Sequence, residues 1–74
     1  MADQTLNAIG KKCPMPVLMT KKELRKLTNG QILEVIADDI GAKKDIPALL
    51  GKTGDDLVQL KEDGSKLTFL IKKN

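Results

Sequence analysis

From Gln4 to Ile9 the chain reads as a short strand with Leu6 and Ala8 pointing inward, and Gly10 closes it. The run Cys13-Pro14-Met15-Pro16 then opens a helix, because proline is tolerated in a first turn whose N–H groups have no helical partner. Cys13 thereby falls at or next to the N-cap. Val17, Leu24 and Leu27, with Leu18 beside them, form one apolar stripe at helical spacing, leaving Lys22, Arg25 and Lys26 to solvent until Thr28-Asn29-Gly30 ends the helix. Ile32 to Ala37 alternates as a strand, with Leu33, Val35 and Ala37 toward the core and Ile32 and Ile36 on the other face. Asp38-Asp39 and Gly41 make a loop, with Asp45 as a candidate cap. A second helix runs through Ala48, Leu49 and Leu50 and ends within Gly51 to Gly54, with Pro47 fitting only near its start. Leu57 to Lys61 and Lys66 to Lys72 are strands joined by the turn Glu62-Asp63-Gly64-Ser65, and Leu67, Phe69 and Ile71 form the inward side of the last.

The order β-α-β-α-β-β describes a two-layer α/β sandwich: a four-stranded mixed sheet with both helices on one face. Its other face carries Ile32, Ile36 and Leu70, which read as scattered surface apolars or as a contact patch. With 74 residues there is room for one core, so residues 1–74 form a single domain. Apolar residues make up 41% and charged residues 31%, the balance of a folding globular chain.

One cysteine and no histidine exclude an internal disulfide, a closed Cys/His zinc site and any Ser/His/Asp or Cys/His catalytic couple. No cofactor is expected. The unpaired thiol, the lack of a leader pattern and the lack of an apolar run long enough to span a bilayer indicate a cytoplasmic protein without a membrane partner. Charge is uneven. Between Lys11 and Lys26 stand six basic residues, Lys11, Lys12, Lys21, Lys22, Arg25 and Lys26, against the single acid Glu23. The positive field therefore surrounds the only cysteine.

A thiol at a helix N-terminus gains stabilisation of its thiolate from unpaired N–H groups, and Lys11 and Lys12 act in the same direction. Free cysteines are commonly buried as small hydrophobes. A turn between Gly10 and a helix, flanked by two lysines, is a poor place to bury one, so Cys13 reads as an exposed nucleophile poised to attack sulfur. The helix cations Lys21, Lys22, Arg25 and Lys26 read either as a solvated face or as a docking stripe for an acidic partner surface. Asp38 and Asp39 without further oxygen ligands are weak evidence for a cation site and read as loop and helix-start acids.

The run Ala8-Ile9-Gly10-Lys11-Lys12-Cys13-Pro14-Met15-Pro16-Val17 resembles the signature of the TusA/SirA-like family of sulfur-carrier proteins, in which Cys-Pro-x-Pro opens the first helix. Gly30, the strand end at Ala37-Asp38-Asp39, Asp45-Ile46-Pro47 and the closing hairpin follow in the family's order, so the resemblance runs from about Leu6 to Lys72. It implies the same β-α-β-α-β-β fold. It further implies a persulfide carried on Cys13, a cysteine desulfurase as donor, and a downstream relay acceptor serving tRNA thiolation or sulfur-dependent cofactor synthesis. On this reading the chain is a non-enzymatic carrier in which Lys12, Pro14 and Pro16 support the motif. Lys12 stands where arginine is usual, Ile40 where proline is frequent, and Leu49-Leu50 where an aromatic is common.

Two alternatives stay open. One is a thiol redox, selenium-related or regulatory member of the same family, although a two-cysteine redox cycle would need a resolving thiol from a partner. The other is a small basic RNA-binding module. Lacking Trp and Tyr, with Phe69 expected in the core, the chain has no stacking platform, so no direct nucleic-acid contact is expected. A carrier that visits successive partners is expected to be a monomer.

Overall fold

The computed structural model describes residues 3–12 and 15–74. Its elements are β1 (Gln4–Ala8), α1 (Met15–Arg25), β2 (Ile32–Ala37), α2 (Ala42–Thr53), β3 (Asp56–Asp63) and β4 (Lys66–Lys72). The sheet order is β1-β2-β4-β3, with β1 and β2 parallel and β4 antiparallel to both of its neighbours. The expected α+β sandwich with a mixed sheet is the observed fold.

Alternation along the two central strands builds the core. Leu33, Val35 and Ala37 on β2 face the same side as Leu67, Phe69 and Ile71 on β4, and all six are buried. Leu24 from α1 and Ile46 and Leu50 from α2 close over them. The opposite face carries Ile32, Ile36 and Leu70, each only half-buried.

Several expectations change in detail. Strand β1 stops at Ala8, because Ile9 and Gly10 form a turn in which Gly10 takes φ +83°. Leu18 is not part of the buried stripe of α1. The side chains facing the sheet are Pro16, Thr20 and Leu24, with Val17 and Leu27 half-buried beside them, whereas Leu18 lies in solvent. Thr20 tolerates full burial because its hydroxyl donates to the Pro16 carbonyl at 2.7 Å.

Helix α2 begins earlier than the position of Pro47 implies, so that proline lies inside the helix, five residues past Ala42. Its missing N–H leaves the Lys43 carbonyl without a helical donor, and Lys43 is exposed to water. Asp45 sits within the first turn and is not the cap. Gly41 holds that place without a side-chain cap bond, and the Asp39 carboxylate accepts its N–H at 3.2 Å. Gly51 is helical. The helix ends instead at Gly54, whose φ of +83° is a left-handed cap and whose N–H reaches the Leu50 carbonyl at 2.8 Å.

Strand β3 runs past the expected Leu57 to Lys61 at both ends, taking in Asp56, Glu62 and Asp63, and a bulge at Val58 breaks its alternation, so Leu57 and Leu60 pair with Ile71 and Phe69. At its foot Asp55 is buried, and its Oδ1 accepts the Asn74 N–H at 2.9 Å. Asn74 Nδ2 in turn donates to the Gly54 carbonyl at 2.8 Å, pinning the end of the described chain against α2 and β3.

Candidate functional site

Because β1 and β2 run parallel, with Ala8 opposite Ala37, the loops that follow them leave the same end of the sheet, and both helices start there. In open α/β sheets this carboxyl end is where ligands and chemistry gather. The N-terminal partial charges of two helices converge on it.

The first loop is fixed by its own backbone. The Ile9 N–H donates to Asn7 Oδ1 at 3.0 Å, and the Lys11 N–H closes a turn onto the Ala8 carbonyl at 3.1 Å. A third bond crosses between loops: the Gly10 N–H donates to Asp38 Oδ1 at 3.0 Å. Beyond it, the Met15 N–H donates to the Lys12 carbonyl at 2.8 Å. The segment before the motif is thus tied both to itself and to the start of the second loop.

Gly10, Lys11, Lys12, Asp38, Asp39 and Ile40 line an open cleft of about 290 Å³. Lys11 and Lys12 are exposed, as the sequence suggests, and put two ammonium groups on its wall. Cys13 and Pro14 lie outside the described residues. Pro16 is buried as the second residue of α1, where its ring packs toward the sheet and its missing N–H costs no helical bond. Lys21, Lys22 and Arg25 are exposed along α1, and Lys26, just past its end, pairs with Glu23 at 3.2 Å.

Two features of this end escape sequence reasoning. Asp38 reads as a generic loop acid, yet it bridges the loops, a contact across 28 residues that no local pattern encodes. Met15, Leu18 and Ile40 read as helix and loop apolars, yet all three are exposed. The signal was present in the spacing: Met15, Leu18, Lys22 and Arg25 fall on one helical face, opposite Leu24.

Among the described residues no group of three or more Asp, Glu, His or Cys could hold a metal ion, and no described helix is long and apolar enough to cross a membrane. Phe69, the only aromatic in the chain, is fully buried in the core and offers no ring to a base.

A small two-layer α+β domain with a cleft at the carboxyl end of its parallel strands, in a chain whose one cysteine directly follows the cleft residue Lys12 in sequence, defines a class of compact single-thiol proteins. Comparison narrows it. The family described as Sulfurtransferase TusA matches residues 4–73, and the chain belongs to that family. It is 49% identical over 72 residues to the sulfur carrier protein TusA of Allochromatium vinosum, covering 97% of this chain and 95% of that one. It is 46% identical over 72 residues to the putative sulfur carrier protein YrkI of Bacillus subtilis, covering 97% and 96%. The crystal structure of a SirA-like protein from Desulfitobacterium hafniense superposes with a TM-score of 0.81 at 26% identity, covering 93% of this chain and 95% of that one.

Proposed function

We propose that this chain is a sulfur carrier that holds sulfane sulfur as a persulfide on Cys13. The observation that carries the reading is the match over residues 4–73 to a sulfur-transfer family, with relatives named as sulfur carriers across nearly their whole length. The position of the motif supports it, since the loop leading to Cys13 is anchored at the end of the sheet where Lys11, Lys12 and two helix starts concentrate positive charge.

In the proposed step the Cys13 thiolate bonds to the outer sulfur of a donor persulfide. The donor's S–S bond breaks, its inner sulfur leaves as a thiolate, and the proton stays on the transferred outer sulfur. Cys13 ends as the persulfide with no net oxidation and no further reagent. The reverse geometry passes the sulfur to an acceptor thiolate. A cysteine desulfurase is the proposed donor, and a relay protein feeding tRNA thiolation or sulfur-containing cofactor synthesis the proposed acceptor.

Radiolabelled sulfur from cysteine, supplied through a cysteine desulfurase, tests the reading on non-reducing gels. Wild type is expected to retain label that reductant removes, and Cys13→Ser to retain none. Label retained equally by the variant would rule the reading out. Thiolate stabilisation has its own readout: alkylation of Cys13 should reach half its maximal rate below about pH 8.5, the value for a free cysteine. Charge reversal by Lys11→Glu with Lys12→Glu should move that midpoint upward.

A further inference from the structure

The asparagines of this chain stand in different surroundings. Asn7 precedes Ala8 in β1 and its carboxamide oxygen accepts the Ile9 N–H, while the Asn74 carboxamide donates to the Gly54 carbonyl. Asn29 is exposed in the turn between α1 and β2, and it precedes Gly30. Asparagine is a chemically labile residue, and glycine after it leaves the approach of the next backbone nitrogen to the carboxamide unobstructed. The position a Cβ would take on Gly30 is open space. The fold nevertheless restrains that nitrogen. The Gln31 N–H donates to the Thr28 carbonyl at 3.1 Å, closing a β-turn with Asn29 and Gly30 at its centre, and Gly30 takes φ +90°. The Gly30 N–H donates to the Lys73 carbonyl at 2.7 Å, and the Lys73 N–H returns to the Gln31 carbonyl at 2.8 Å. Residues 73 and 74 thus strap the turn, and the strap is pinned in its own right where the Asn74 N–H donates to Asp55 Oδ1 at 2.9 Å.

We propose that Asn29 is a deamidation site gated by this strap, and that its isoaspartate product makes the chain a substrate for an isoaspartate carboxyl methyltransferase. In the first step the Gly30 nitrogen bonds to Asn29 Cγ, the Cγ–Nδ2 bond breaks, and ammonia leaves with the proton that the Gly30 nitrogen gave up. Water then opens the five-membered imide at either carbonyl, giving aspartate or isoaspartate with no oxidant or reductant. Ring closure needs the Gly30 nitrogen free of its proton, so the bond to the Lys73 carbonyl has to open first. Isoaspartate adds a methylene to the backbone of a four-residue turn. The Gly30–Lys73 bond then loses its register, and the strap stays open. All of this happens where β2 begins and β4 ends, the opposite end of the sheet from the loop before Cys13, so it stands apart from the carrier reading.

The test incubates the full chain beside a synthetic peptide of residues 26–33 in mildly alkaline buffer. Conversion is read by intact mass and located by fragmentation, and isoaspartate is read by methyl transfer from labelled S-adenosylmethionine. The mass gain separates this event from isomerisation at Asp63-Gly64, which leaves the mass unchanged. The chain should convert at Asn29 before Asn7 or Asn74, and at least about fivefold more slowly than the peptide, the factor one hydrogen bond contributes. Amide exchange at Gly30 should be slowed by a matching factor, because both reactions remove the same proton. Lys73→Pro deletes the return bond to Gln31, and Asn74→Ala unpins the strap at Gly54. Each should quicken Asn29 conversion and Gly30 exchange together, with circular dichroism confirming the fold; Asn74→Ala decides the matter where Lys73→Pro does not fold. Conversion in the chain as fast as in the peptide would overturn the gate, as would faster Gly30 exchange in the variants without faster conversion. Conversion first at Asn7 or Asn74, or none at Asn29 over the time that Gly30 protection allows for it, would overturn the site itself.

Discussion

Asp38 does more at the site than its place in an acidic pair suggests. Its Oδ1 is the acceptor that ties Gly10, in the first loop, to the second. Asp38→Ala removes that acceptor, whereas Asp38→Asn keeps a side-chain oxygen for it. One hydrogen bond is worth about 1 kcal/mol, so amide exchange at Gly10 should quicken about fivefold in Asp38→Ala and stay near wild type in Asp38→Asn. Equal exchange in both variants would show that the bond does not restrain the loop. No sequence pattern marks Asp38 for this role, because the contact depends on β1 and β2 pairing in parallel register. Cys13, by contrast, is singled out by its sequence neighbours alone, a lone thiol between two lysines and a Pro-x-Pro run, and lies outside the described residues.

At the scale of elements, the two glycines near the end of α2 do opposite things. Gly54 adopts φ +83° to cap the helix, and a side chain there forces a left-handed conformation costing about 1–2 kcal/mol. Gly51 lies inside the helix, exposed, with open space where a Cβ would sit. Gly54→Ala should therefore lower the urea midpoint and Gly51→Ala raise it, the latter by about 0.5–1 kcal/mol. Shifts of the same sign would contradict the assigned end of α2. Reading both glycines as one stop signal blurred this boundary, just as the expected placement of Pro47 displaced the helix start. That start has no side-chain cap to announce it, since Gly41 relies on the Asp39 carboxylate. Strands β2 and β4 are legible to the residue because β-branched and apolar content fills both and turn signals bound them, Gly30 before β2, Asp38-Asp39 after it and Gly64 before β4. Alternation fails in β3, where the bulge at Val58 puts two positions, Val58 and Gln59, between inward Leu57 and Leu60. On α1 the apolar residues outnumber the places facing the sheet, and it is the face that Leu18 shares with Lys22 and Arg25, opposite Leu24, that marks it as exposed.

The whole molecule divides labour between its layers. One side of the sheet and the two helices enclose the core around Phe69, and the end where β1 and β2 finish carries the loops, the cleft and the exposed Ile9 and Ile40. A domain of this size has only about 3–5 kcal/mol of net stability. Truncating Phe69, which is fully buried at the centre of β4, removes about 3–5 kcal/mol. Phe69→Ala should therefore be largely unfolded by circular dichroism at room temperature, and a cooperative transition near wild type would contradict the assigned core. Association with a partner belongs to the same scale. Six cations between Lys11 and Lys26 against one acid should make the on-rate fall steeply with added salt, whereas a salt-independent rate would remove any steering role for α1. The central claim is that this domain exists to present one thiol as a sulfur carrier, and its most direct test is the intact mass of the chain after incubation with a cysteine desulfurase and cysteine. The expected result is a gain of one sulfur atom, mapped by fragmentation to Cys13 and reversed by reductant. An unchanged mass with an active donor, while Cys13 remains open to alkylation, would contradict it.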